Sequence, residues 1–144
     1  MDEKLQALVE GINRWRAHNI TDYWVHVSYL GSELHRFGEH DLTFTQGKLW
    51  HLRAGEWHPL KKGSDFWLFS VPGAFAWTRD VLTKIAPQAG ADPDAVTLRL
   101  NDEYGYVEYL RLEMGHRAGA NFTFEVTRFG TGPHPDFDHE RAEE

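Results

Sequence analysis

The chain has 144 residues, about the size of one domain, and it can bury enough surface to fold without disulfides or metal ions. It contains no cysteine, which excludes disulfide scaffolds, thiolate metal centres and cysteine nucleophiles. Fifteen Lys and Arg against 22 Asp and Glu give a net charge of −7, so we expect no nucleic-acid partner, and no apolar run is long enough for a membrane span.

The N-terminal segment predicts a helix over residues 3–17. Its apolar residues recur at helical spacing and form one stripe: Leu5, Leu8, Val9, Ile12 and Trp15. Asp2 can cap this helix. The first residues are charged and no long apolar stretch follows, so we see no secretory signal. We therefore expect a soluble, cytoplasmic protein, or an extracytoplasmic one if a leader has been removed.

After residue 19 the apolar residues alternate with polar ones, which is typical of strands. Three or four antiparallel strands are predicted over residues 23–30, 41–45, 48–53 and 56–60. Short turns at Gln46-Gly47 and Ala54-Gly55 join them, because glycine accepts the positive φ of tight hairpins.

A second helix is predicted over residues 73–86, with Ser70 as its cap, Pro72 in its first turn, and Pro87 and Gly90 at its end. Three more alternating segments follow, at residues 96–101, 110–114 and 122–127. The order is helix, three or four strands, helix, three strands. It predicts a two-layer α+β domain in which two helices pack on a largely antiparallel sheet of six or seven strands.

Residues 130–144 differ in composition from the rest of the chain. They contain five acidic residues and one arginine, several glycines and prolines, and almost no apolar side chains. Such a segment cannot bury enough surface to hold one conformation. We therefore expect a single domain over residues 1–129, followed by an acidic tail without fixed structure.

Three separated segments resemble an uncharacterised family of bacterial domains whose members are often secreted or anchored as lipoproteins. The segments are Arg14-Trp15 with Asp22-Tyr23, then Phe69-Ser70-Val71-Pro72-Gly73-Ala74-Phe75, and finally Asp102-Glu103-Tyr104-Gly105-Tyr106. The similarity covers about residues 12–129. It implies a fold rather than an activity, since the family has no established activity.

The resemblance also implies structural roles for four residues. Trp15 and Tyr23 fit the seam between helix and sheet, and Gly73 and Gly105 fit backbone positions that favour small residues. This chain lacks the cysteine pair and the leader peptide of many relatives, which favours a reducing compartment.

Five of the nine histidines fall in the first group of strands: His26, His35, His40, His51 and His58. A two-residue turn at Gln46-Gly47 places His51 opposite Leu42 and on the same face. Trp50 and Leu52 then point the other way, so this strand is either covered on both sides or lines a cleft.

His26 and His51 on facing strands could bind a metal ion or act as an acid–base pair near neutral pH. A third ligand would come from Glu39, Asp41 or Glu56. The alternative is a set of half-exposed strand histidines, which we favour because their spacing is not that of a compact metal motif. We expect no cofactor. The residues His134, Asp136, Asp138 and His139 have ligand chemistry too, but a charged tail is more often solvated.

Aromatic residues are concentrated within 21 positions: Trp57, Phe66, Trp67, Phe69, Phe75 and Trp77. On a helix, Phe75 and Trp77 lie about 200° apart, so one stripe cannot bury both deeply. These residues form ordinary core, an interaction surface or a pocket for a small apolar ligand. For the last two cases we predict contacts from Trp24, Trp50, Trp57 and Trp77.

Standard catalytic motifs are absent, including H-E-x-x-H, G-x-S-x-G and phosphate-binding glycine loops. We therefore predict a non-enzymatic binding or protein-interaction module, with a protein or a small apolar molecule as partner. One alternative is a small metal-dependent or acid–base enzyme that uses His26 and His51. Another is an acidic inhibitor or immunity-type protein that covers a basic partner through its tail and its Glu-rich edges. The sequence leaves the oligomeric state open.

Overall fold

The computed structural model describes residues 2–31, 36–114 and 121–138. Two of the histidines discussed above, His35 and His139, lie outside these ranges. Helix α1 spans Asp2–Ala17, and the first four strands are β1 (Tyr23–Gly31), β2 (Gly38–Thr45), β3 (Lys48–Arg53) and β4 (Glu56–Leu60). Helix α2 spans Val71–Asp80, and the last strands are β5 (Val96–Leu100), β6 (Val107–Leu112) and β7 (Phe122–Thr131).

The seven strands form one sheet in the order β4-β3-β2-β1-β7-β6-β5, and every neighbouring pair is antiparallel. Two meanders, β1–β4 and β5–β7, therefore meet where β1 pairs with β7. This confirms the predicted two-layer α+β fold. Strands β3 and β4 have the predicted bounds, because the turns at Gln46-Gly47 and Ala54-Gly55 fix them with positive φ angles at all four residues.

The sheet has an inner face, which the helices cover, and an outer face. On β1 the residues Tyr23, Val25 and Val27 point inward and are buried, whereas Trp24 and His26 point outward. The core lies between the inner face and the helices. Its fully buried side chains include Leu8, Leu42, Leu49, Phe69, Leu82, Leu110 and Phe124.

Helix α2 begins directly after Ser70, the predicted cap, and the helical backbone continues beyond α2. The Ser70 hydroxyl caps it by accepting a 3.0 Å hydrogen bond from the Gly73 amide. A wider turn, Val81–Ile85, follows, and a last helical turn, α3 (Ala86–Gln88), contains Pro87. Pro87 and Gly90 were predicted to end this helix, and the helical backbone continues one residue past Pro87 because the wide turn, in which the Ala86 amide donates to the Val81 carbonyl, accommodates the proline. Gly90, at φ +71°, ends the helical stretch.

Helix α1 approaches the turn between β5 and β6 through a pair of glycines. A Cβ atom on Gly105, which has φ +87°, would overlap the Gly11 carbonyl, and a Cβ atom on Gly11 would overlap the Gly105 carbonyl. Larger residues would therefore push the helix away from the sheet. At the other end of α1, the Trp15 ring meets the Tyr23 ring edge-on with 5.3 Å between centroids, at the seam between helix and sheet.

None of the helices in the described part of the chain combines the length and apolar character needed to cross a membrane.

Candidate functional site

Three of the four predicted contact tryptophans come together on the outer face. Trp24 on β1, Trp50 on β3 and Trp57 on β4 all point away from the helices, as the strand registers require. His134 packs on Trp24 and Trp57 with centroid distances of 4.9 and 5.2 Å, and Phe137 packs on Trp50 and Trp57 at 5.3 and 5.7 Å. We call the three tryptophans the aromatic patch, and His134 and Phe137 cover it.

Polar contacts hold residues 132–138 over this patch. The His134 amide donates a 2.9 Å hydrogen bond to Thr43 Oγ1, and Trp57 Nε1 donates to the Asp136 carbonyl at 3.3 Å. The Asp136 amide donates to His134 Nδ1 at 3.0 Å, which places the proton of the neutral imidazole on Nε2. Trp50 and Trp57 are consequently only 1% and 3% exposed.

The structure thus differs from the prediction of a tail without fixed structure from residue 130. Strand β7 extends to Thr131, and residues 132–138 pack on the outer face. The physical reason is that the outward Trp24, Trp50 and Trp57 need apolar cover, which His134 and Phe137 supply. Residues 139–144 lie outside the described part of the chain.

His26 lies at the rim of the aromatic patch between two carboxylates. Its Nδ1 is 2.8 Å from Asp41 Oδ1 and its Nε2 is 2.9 Å from Glu39 Oε1. Partial burial lowers the pKa of His26, but the hydrogen bonds and charges of Glu39 and Asp41 outweigh it, so the net pKa is raised. Asp41 also lies 3.6 Å from His134 Nε2. This arrangement favours the doubly protonated, cationic His26.

His51 lies on the inner face opposite Leu42, as predicted, and is 3% exposed. Its Nε2 is 3.2 Å from Nδ1 of His40, whose Nε2 donates to the Arg36 carbonyl at 2.7 Å. Within the described residues, His51 Nδ1 has no hydrogen-bond partner. Burial, with help from His40, Arg53 and His58, lowers the pKa of His51 to about 4. His51 is therefore a neutral core histidine that packs on Phe66, with ring centroids 4.5 Å apart.

The structure does not bring His26 and His51 together. His26 is opposite Asp41 on the neighbouring strand, and His51 is opposite Leu42, the residue after it. Because successive residues of a strand point to opposite faces, the two histidines lie on opposite sides of the sheet. In residues 2–31, 36–114 and 121–138, no three His, Cys, Asp or Glu side chains are grouped to hold a metal ion. His26 and His51 are therefore too far apart in orientation to act together as the predicted pair.

Trp77, the fourth predicted contact residue, lies on α2, away from the other three. Its ring stacks on Phe122 with centroids 4.7 Å apart and meets Phe124 edge-on at 5.4 Å. The half-buried Trp77 thus packs on the sheet, while Phe75 is buried on the side of α2 that faces α1. Both aromatic residues of α2 are packed because the sheet and α1 contact different sides of the helix.

An open concave site lies instead between the two helices, and the sequence did not single it out. Helix α1 contributes Ile12, Trp15 and Arg16, and helix α2 contributes Pro72, Phe75, Ala76 and Arg79, around a cavity of about 360 Å³. Spacings of three and four residues on each helix place these side chains on one face. The volume falls within the range of small-molecule sites.

A second cavity of about 180 Å³ adjoins the first, because Trp15 and Pro72 line both. It extends between α1 and the sheet and is also lined by Ile20, Thr21, Tyr23 and Phe44. Tyr23 and Phe44 stack with 5.8 Å between ring centroids and form an aromatic wall. We call the two cavities together the helix groove.

Tyr23 is the most buried of the polar residues that line the helix groove. Its hydroxyl accepts a 3.1 Å hydrogen bond from the Val71 amide at the start of α2, and burial raises its pKa above the ordinary value. The phenol is therefore neutral. The chemistry that the helix groove offers is apolar contact from aromatic rings, and the polar side-chain groups of its lining residues are the Trp15 indole N–H, Thr21, the Tyr23 hydroxyl and two arginines.

A comparison of the chain with known proteins found neither a protein-family model nor a curated protein that matches it.

Proposed function

We propose that this protein is a non-enzymatic binding module whose helix groove takes a small ligand with an apolar body. The observation that carries the proposal is the half-buried Trp15, which packs on Tyr23 on one side and lines both open cavities of the helix groove. An aromatic ring that faces unfilled concave space is a contact surface for an apolar guest.

The aromatic patch is a less suitable binding site than the helix groove, because the chain itself already covers it. Trp24, Trp50 and Trp57 were the first candidates for ligand or partner contacts, but His134 and Phe137 already pack on them. A partner could reach these tryptophans only by displacing residues 132–138 and breaking the hydrogen bond from the His134 amide to Thr43. The helix groove requires no such displacement.

An enzymatic function has less support. His51 is neutral and buried, and His26 is engaged with Glu39 and Asp41 on the other face of the sheet. Neither histidine lines the helix groove. An acidic inhibitor would use the tail and the Glu-rich edges. Because residues 132–138 are packed against the sheet, that hypothesis depends on residues 139–144 and on the edges.

The test is a titration with 2-naphthylmethanol, a neutral aromatic probe, followed by ¹H–¹⁵N NMR on the full chain. We expect the indole signal of Trp15, assigned with Trp15→Phe, to shift with saturable binding. Ala76→Trp fills the helix groove from an exposed position of α2 and should weaken binding at least about tenfold.

Asn13→Trp is the matched control, because it adds the same side chain to an exposed position of α1 that does not line the helix groove. It should leave the dissociation constant unchanged. Absence of a Trp15 response up to the solubility limit of the probe, or equal binding by Ala76→Trp and the wild type, would overturn the proposal.

A further inference from the structure

Two arginines line the helix groove beside its aromatic residues. Arg16 comes from α1 and Arg79 from α2, and both side chains are exposed. Two like charges on facing helices repel one another, and this repulsion is relieved when a negative charge lies between them. The helix groove therefore combines an apolar wall with a positive edge.

Neither arginine forms an ion pair within the described part of the chain. The positions three and four residues away on the same helix hold Ile12 and Asn13 for Arg16, and Phe75, Ala76, Leu82 and Thr83 for Arg79, so no carboxylate lies at helical pairing distance. Some other exposed cations do have carboxylate partners, such as Lys84 with Asp80 at 3.7 Å and Arg99 with Glu108 at 3.2 Å. In a chain with seven more acids than bases, a shortage of carboxylates does not explain two unpaired arginines at one site.

The helix dipole explains only one of them. Arg16 lies in the last turn of α1, where a cation stabilises the negative end of the helix. Arg79 does not lie at such an end, because the helical backbone continues through Val81–Ile85 to Gln88. The dipole of its own helix therefore gives no reason for a cation at position 79, whereas a ligand in the helix groove does.

We infer that the helix groove binds a small amphipathic anion, whose apolar body packs on Trp15 and Phe75 and whose carboxylate or similar group lies between Arg16 and Arg79. This inference rests on the proposed function and adds the charge of the ligand. A guanidinium group can donate two parallel hydrogen bonds to a carboxylate, and the neighbouring apolar wall strengthens the attraction by excluding water.

Three probes of matched shape test the inference: 2-naphthoate, 2-naphthylmethanol and 2-naphthylmethylammonium, titrated into the full chain by NMR. We expect 2-naphthoate to bind about fivefold more tightly than the alcohol, and the ammonium compound to bind more weakly than the alcohol. The advantage of 2-naphthoate should shrink as NaCl is raised from low concentration to 0.5 M. The double variant Arg16→Gln/Arg79→Gln should bind the anion and the alcohol equally.

Arg14→Gln is the matched control, since Arg14 is exposed in the same last turn of α1 but does not line the helix groove. It should keep the preference for the anion. Equal binding of all three probes by the wild type, or a preference that survives in the double variant, would overturn the inference and leave the proposed function standing. Failure of all three probes to shift the Trp15 signal would overturn both.

Discussion

Two aromatic clusters lie on opposite faces of the sheet, and they differ in what covers them. The aromatic patch on the outer face is closed by the chain itself, through His134 and Phe137. The helix groove on the inner side leaves Trp15 half-buried beside open space. A cluster of aromatic residues therefore indicates only that apolar contact is needed at that place. An open cavity beside an aromatic residue indicates, in addition, that a ligand can supply the contact.

Two histidines on opposite faces of the sheet, His26 and His51, are held in opposite protonation states. Hydrogen bonds to Glu39 and Asp41 keep the pKa of His26 raised on the outer face, and burial lowers the pKa of His51 to about 4 on the inner face. A change of pH therefore changes the contributions of these two histidines to stability in opposite directions.

The largest effect on stability is expected when the aromatic patch is uncovered. A chain that ends at Thr131 loses the segment that buries Trp50 and Trp57, and we expect its free energy of unfolding to fall by roughly 3–5 kcal/mol. Urea unfolding measures this loss, and tryptophan emission should shift to longer wavelength. A chain that ends at Asp138 is the control and should keep the wild-type stability. Equal stability of the two truncated chains would show that residues 132–138 do not protect the patch.

The next largest effect concerns His51 and acid. The unfolded state takes up a proton near the ordinary pKa of 6.5, but folded His51 does so only near pH 4. Its contribution to stability is therefore complete above pH 6.5 and is lost as the pH falls from 6.5 to 4, in total about 3 kcal/mol. In His51→Gln this part of the pH dependence should disappear, as measured by urea unfolding at several pH values. If the free energy of unfolding of His51→Gln depended on pH between 6.5 and 4 as steeply as that of the wild type, the role of His51 would be contradicted.

A smaller effect is expected at Thr43, which joins the outer face to residues 132–138. Its hydroxyl donates to the Tyr23 carbonyl at 3.0 Å and accepts from the His134 amide. Thr43→Val keeps the shape but removes both bonds, and it should lower the free energy of unfolding by about 2 kcal/mol. Hydrogen exchange of the His134 amide should accelerate. Thr97→Val, at an exposed position of β5, serves as the control and should change stability little.

The smallest effect sharpens the contrast between the histidines. Because the folded pKa of His26 is raised, its stabilisation is complete below the unfolded pKa of 6.5 and is lost as the pH rises through the folded value. In His26→Gln the free energy of unfolding should lose this dependence, with a change within about 1 kcal/mol because Glu39 is 70% exposed. If His26 and His51 changed the pH dependence of the free energy of unfolding in the same direction, their assignment to opposite protonation states would be refuted.

Much of the fold was predictable because its signals are local. The glycine turns fixed β3 and β4, and they also fixed the register that puts His51 opposite Leu42. The sequence further indicated that β3 carries apolar residues on both faces. Such a strand is either covered on both sides or lines a cleft. The structure shows that β3 is covered on both sides, because Phe66 packs on His51 and Phe137 packs on Trp50.

The site was not predictable in the same way, because it depends on distant parts of the chain. Trp15 and Phe75 are 60 positions apart, and no local pattern gives the distance between their helices. The pairing of His26 with His51 failed for a simpler reason: β2 lies between their strands, and the one-residue step from Asp41 to Leu42 reverses the face. The signal that could have suggested the groove was the set of apolar residues and arginines at helical spacing on both helices.

The pairing of β1 with β7 at the centre of the sheet has a consequence for synthesis of the protein. Its partners are distant in sequence, from Tyr23 with Thr131 to Gly31 with Phe122. The meander β1–β4 can form while the chain is still on the ribosome, but β1, the central strand of the finished sheet, keeps a free edge until β7 emerges. Such an edge can pair with other chains. Slow translation of the second half should therefore increase the need for chaperones.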